Sequence, residues 1–180
     1  MKRFAFVVLT MLALGAIAPQ AQSPVPNMSP VIGTWRVDVE KSTYFPGPRP
    51  VAGAGVQVRQ YIDRGMGLIA EVRIVVSPTG AITAGATNVW SGKFDGTATN
   101  AYGQGDLLTF LEAGTKPMPV RSYKVLDNNT LEATNKTGTV LNNSATIAVS
   151  RDGKTLTETI KNFNAQGQQV GLNVIVYDRQ

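Results

Sequence analysis

Apolar and polar residues alternate with a period of two along most of this chain. Glycine, proline, asparagine or aspartate breaks the alternation roughly every 8–12 residues. The pattern starts in Ile32 to Pro48, IGTWRVDVEKSTYFPGP. Extended, this stretch puts Trp35, Val37 and Val39 on one face and Thr34, Arg36, Asp38 and Glu40 on the other. It ends in Tyr44-Phe45-Pro46-Gly47-Pro48, where two prolines and a glycine forbid a regular ladder.

Further strands are predicted at Val56 to Asp63, Leu68 to Val76, Ala86 to Phe94, Leu107 to Leu111, Val120 to Leu126 and Thr130 to Asn135. Val140 to Ser150, Thr155 to Phe163 and Val170 to Arg179 complete the series. Turn chemistry separates them. Ser77-Pro78-Thr79-Gly80, Asp127-Asn128-Asn129, Asn164 to Gln168 and, most clearly, Arg151-Asp152-Gly153-Lys154 read as hairpin connections. After the N-terminal segment nothing sustains helical periodicity. The fold class is therefore all-β. A meander of about 8–10 short-linked strands has two exposed edges unless it closes, which favours an antiparallel up-and-down β-barrel over a sandwich.

Residues 1–22 read as a signal peptide: Lys2 and Arg3, an apolar run from Phe4 to Ile17, then small residues at Ala16, Ala18 and Ala21. The run is shorter than the ~20 residues of a spanning helix, so no membrane anchor is expected after cleavage. A flexible Pro- and Ser-rich leader (23–30, SPVPNMSP) then precedes one domain, 31–180. The expected location is periplasmic or secreted.

Composition mainly excludes. The chain has no cysteine and no histidine. Disulfides, thiol chemistry, His/Cys zinc sites and hydrolases with a histidine base are therefore ruled out, and neither metal nor cofactor is expected. Net charge is +5, or +3 without Lys2 and Arg3 (15 basic against 12 acidic). The basic residues stand singly, which argues against a nucleic-acid partner. Oligomeric state is not legible.

Ala148 to Thr155 loosely matches a phosphate-loop pattern. The residues after it alternate as a strand rather than opening a helix, so it reads as a hairpin. Arg59 and Tyr61, and likewise Arg121 and Tyr123, share one strand face. Such a pair can hold a ligand carboxylate, although ordinary exposure preferences favour the outer wall. Trp90 and Phe94, with Phe110, fit either a core or a ligand platform, more often a core. The Tyr44 to Pro48 loop fits a lid or a plug at a barrel mouth. Glu158 shares its face with Leu156 and Ile160. It is a raised-pKa acid or base, the partner of an arginine, or a residue of the outer face.

Gly33-Thr34-Trp35 opening the first strand resembles the Gly-x-Trp signature of lipocalins and the wider calycin barrels, which a basic residue near the last strand's end completes; Arg179 stands in that place. The longer run, with Phe94-Asp95-Gly96 and the Asp152 to Thr157 hairpin, is similar to a group of secreted bacterial lipocalin-like proteins. The resemblance implies a lipocalin-like barrel with Gly33, Trp35 and Arg179 as its structural signature. Fatty-acid-binding barrels carry an Arg-x-Tyr near the C-terminus, from which Tyr177-Asp178-Arg179 departs.

The resulting expectation is a non-enzymatic protein that binds a small hydrophobic or amphipathic ligand inside the barrel, with Arg121, Tyr123, Arg59, Tyr61 and Trp90 as candidate contacts. The alternative is a cell-envelope structural or interaction module with a filled barrel. A third option is an isomerase or hydrolase using Glu158 or Glu71.

Overall fold

The computed structural model describes residues 29–50, 55–82, 87–103 and 117–180. The expected signal peptide, most of the leader, the Leu107 to Leu111 strand and Phe110 lie outside the described residues. A short 3-10 turn, Ser29–Val31, leads into ten strands. They are β1 (Gly33–Phe45), β2 (Val56–Asp63), β3 (Leu68–Val76), β4 (Asn88–Lys93), β5 (Thr99–Gly103), β6 (Pro119–Asp127), β7 (Thr130–Thr137), β8 (Val140–Val149), β9 (Thr155–Phe163) and β10 (Gln169–Arg179). Each pairs antiparallel with its sequence neighbours, and β1 pairs with β10, so the sheet is a closed up-and-down barrel. The alternating pattern and the closure argument anticipate this architecture, and the 151–154 turn joins β8 to β9 as a hairpin. β5 was not anticipated: Thr99 to Gly103 carries too few apolar residues to stand out as an alternating run.

Up-and-down order gives the barrel two unlike ends. One carries the start of β1, the end of β10 and the tight β2–β3, β6–β7 and β8–β9 turns; the other carries the long connections after β1, β3 and β5. The first end is sealed. Val31, Trp35, Tyr61, Trp90, Tyr123, Leu131, Leu156 and Tyr177 are buried there or just above, and Trp35 Nε1 donates to Val31 O at 2.9 Å. Four aromatic rings lock together: Trp90 and Phe94 stack at 6.3 Å, while Tyr123 meets Trp90 edge-on at 4.7 Å and Tyr61 at 6.2 Å. Gly92 makes room for this cluster, since a β-carbon there would lie 2.5 Å from the Trp90 ring.

The resemblance-derived signature forms a physical latch. Arg179 faces Trp35 across the β1–β10 seam and lays its guanidinium 4.2 Å from the centre of the Trp35 ring. Its Nη1 donates to Ile32 O at 3.0 Å, its Nε to Gly153 O at 2.6 Å, and its Nη2 to Pro30 O. Gly33 is required beneath it: φ is 139°, and a β-carbon would lie 2.7 Å from Arg179 Nη1.

β1 is bent by an irregularity between Asp38 and Thr43, held by Ser42, whose hydroxyl donates to Asp38 O at 2.6 Å and accepts from Val176 N at 2.9 Å. Pairing with β2 stops at Arg36 opposite Val58, and β1 then follows β10 alone. An outer groove of about 340 Å³ opens at this divergence, lined by Arg36, Asp38, Val56 and Asp178 among others.

Candidate functional site

The inward rows of β2, β3, β6 and β9 carry charge. Arg59 on β2 stands opposite Arg73 on β3, and Tyr61 opposite Glu71. β6 contributes Arg121 and Tyr123, and β9 contributes Glu158 opposite Ile175 of β10. This overturns the outer-wall expectation for the two Arg–Tyr pairs. Arg59, Tyr61 and Tyr123 are fully buried and Arg121 is 6% exposed, while Val56, Val58 and Ile62 take the outward, half-buried positions. The physical reason is that the interior also holds Glu71 and Glu158, so each guanidinium finds a carboxylate and avoids the cost of an unpaired buried charge.

Glu71 is the hub. Its Oε2 accepts from Arg121 Nη1 at 2.6 Å and from the Tyr123 hydroxyl at 2.5 Å; its Oε1 accepts from Arg73 Nε at 2.8 Å and lies 3.4 Å from Arg59 Nε. Glu158 Oε2 accepts from Arg59 Nη2 at 2.5 Å, and its Oε1 lies 3.8 Å from Arg73 Nη2. Arg59 also donates Nη1 to the Tyr61 hydroxyl at 3.0 Å, and its guanidinium sits 5.0 Å from the centre of the Tyr177 ring. Arg121 Nε donates to Asn135 Oδ1, and Asn135 Nδ2 to Asn143 Oδ1, each at 2.5 Å.

These contacts decide the reading of Glu158. Burial works to raise the carboxyl groups of Glu71 and Glu158, but the surrounding guanidiniums outweigh it and hold both below the ordinary glutamate range. Glu158 is thus the partner of an arginine, not a raised-pKa acid or base. The tyrosines shift the other way: burial raises the Tyr61, Tyr123 and Tyr177 hydroxyls above their usual value, so they stay neutral. Trp90 donates Nε1 to Arg121 O at 3.0 Å and is fully enclosed, which makes it part of the packed floor.

Above the charged layer, towards the end with the long connections, the inward rows turn apolar. Val37 and Val39 of β1, Val75 of β3 and Ile175 of β10, with Gln57, Tyr44, Pro50 and Gly55, line a recess of about 210 Å³. Tyr44 thus belongs to the recess wall, while Phe45 at the end of β1 is exposed. Gln57 Oε1 accepts from the Tyr177 hydroxyl at 2.6 Å, fixing the amide at the recess floor. Asn88, opposite Arg73 on β4, leaves its buried Oδ1 without a partner among the described residues.

Sequence reasoning missed Arg73, the guanidinium that stands opposite Arg59 and is one-fifth exposed. The signal was present: in Leu68 to Val76, Glu71 and Arg73 fall on the same face as Ile69 and Val75. Two opposite charges embedded in an apolar row mark an interior pair.

By sequence, no protein-family model matches the chain and no curated protein is significantly similar to it. Solved structures do resemble it. Fatty-acid-binding protein 1 of Echinococcus granulosus superposes with a TM-score of 0.53 at 16% identity, over 84% of this chain and 98% of that one. The fluorescent protein UnaG does so with a TM-score of 0.50 at 10% identity, over 83% and 96%. The likeness is one of fold. The chain is a ten-stranded barrel of the kind found in fatty-acid-binding proteins.

Proposed function

We propose that this protein binds a small hydrophobic or amphipathic molecule in the barrel interior and is not an enzyme. The carrying observation is the layered interior: a packed aromatic floor, a charged layer and then an apolar recess on the side of the long connections. Apolar walls over a polar base suit a molecule with unlike ends. The fold it shares with a fatty-acid-binding protein supports the reading. In this view Arg59, Tyr61, Arg121, Tyr123 and Trp90 shape the base on which the ligand rests. The N-terminal pattern supports export to the periplasm or beyond.

Native mass spectrometry of protein purified from its own host tests this. A co-purified adduct lost on organic extraction is the expected result; a bare mass, with no saturable site for an apolar probe, contradicts it. That outcome would favour a cell-envelope interaction module with a filled barrel. The engagement of Arg121, through Nε and Nη1, and of the Tyr123 hydroxyl by protein partners is the observation on that reading's side.

A further inference from the structure

We propose that the bound molecule is a single-chain amphiphile that lies through the β1–β2 seam, its apolar body in the recess and a hydroxylated head in the outer groove. The inference deepens the carrier reading and rests on it. Pairing of β1 with β2 ends at Arg36 opposite Val58, yet β1 runs on to Phe45 and β2 reaches back to Val56. Two cavities flank that divergence and share residues: Val37 and Val39 line both the groove of about 340 Å³ and the recess of about 210 Å³. On the facing strand Val56 lines the groove, while its neighbours Gly55 and Gln57 line the recess. Inside and outside therefore meet at this seam. The recess alone is smaller than the roughly 300–1,000 Å³ of an ordinary ligand pocket, whereas recess and groove together fall within that range.

The seam is held open from both sides. On β1, Asp38 Oδ1 accepts from Glu40 N at 3.0 Å and from Lys41 N at 3.1 Å, so these backbone donors are satisfied without a neighbouring strand. Lys41 Nζ ties Asp38 Oδ2, at 2.8 Å, to Asp178 Oδ1 of β10, at 3.3 Å, and the Ser42 hydroxyl joins Asp38 O to Val176 N. β1 is thus fastened to β10. On the other side β2 stays paired with β3 as far as Val56 opposite Val76, and a β-carbon on Gly55 would lie 2.7 Å from Val75 Cγ1. The groove outside mixes donors and acceptors. Arg36 is exposed, and its guanidinium has no hydrogen-bond or ion-pair partner among the described residues; the Asp38 and Asp178 carboxylates and Gln180 line the groove with it. A hydroxylated head, which both donates and accepts, fits such a set.

The test compares n-decyl β-D-maltoside, below its micelle concentration, with 1-decanol, each displacing the neutral probe N-phenyl-1-naphthylamine from the whole chain. The disaccharide is too large to follow its alkyl chain into the recess. The wild type should bind the maltoside at least as tightly as the alcohol. Val56→Trp fills the groove from a position that does not line the recess. It should weaken the maltoside about tenfold or more and leave decanol within about twofold. Arg36→Ala should weaken the maltoside about threefold or more, the range for a lost hydrogen bond, with decanol unchanged. A wild type that binds decanol and refuses the maltoside, or maltoside binding that either variant leaves intact, would overturn the proposal while the carrier reading stands. Should the indole remove decanol binding as well, Arg36→Ala decides by the same criterion. Failure of probe, alcohol and maltoside alike would overturn the carrier reading itself.

Discussion

Glu71 carries more of the interior than any other single side chain, because three guanidiniums and one phenol converge on its two oxygens. Replacing it with glutamine leaves those cations facing one another without their hub. Glu71→Gln should therefore cost about 3–5 kcal/mol, the range for breaking a buried ion pair, measured by urea denaturation. The same network sets the response to acid. Glu71 and Glu158 are held below the ordinary range in the folded protein, whereas an unfolded glutamate takes up its proton near pH 4.3. Below that pH the unfolded chain binds protons that the native state refuses, so stability is complete at neutral pH and falls as pH drops through the acid range. Denaturation midpoints should be flat around neutrality and decline below about pH 4.5, with a shallower decline in Glu158→Gln. A midpoint that rises on acidification would contradict the pairing.

At the scale of elements, the seam between β1 and β10 closes the barrel, and Trp35 with Arg179 fastens its sealed end. Trp35→Ala should cost about 3–5 kcal/mol in reversible denaturation, as for a large aromatic removed from a core. A loss below about 1 kcal/mol would mean that the indole does not seal the barrel. Gly33→Ala should destabilise as well, through the forced φ of 139° and the close approach of Arg179. These elements were legible because alternation, turn residues and the Gly-x-Trp step are local signals. Sidedness was not. A period of two says that Arg59 and Tyr61 oppose Val56, Val58 and Ile62, but it does not say which set faces inward. Hydrophobicity points to the valines, and the structure chose the arginine. The deciding partners, Glu71 and Glu158, lie on other strands, and nothing local to β2 announces them. Arg121 was concealed in the same way, its partners being Glu71 on β3 and Asn135 on β7.

At the scale of the molecule, the barrel is asymmetric along its axis: sealed and aromatic at one end, apolar and recessed towards the other, with an ion network between. The proposed carrier function rests on that asymmetry. The proposed export is tested at this scale too. N-terminal sequencing of the mature protein from its host should begin between about Pro19 and Ser23, and a full-length membrane-retained product would contradict the signal-peptide reading.

The central claim is that the recess above the charged layer holds the ligand. Titrating the protein with N-phenyl-1-naphthylamine, alongside a Val75→Trp variant that fills the recess, tests it most directly. The account predicts saturable one-to-one binding in the wild type and its loss in a Val75→Trp protein that remains folded by circular dichroism. Wild-type binding left unchanged by the indole, or no saturable binding at all, would contradict it.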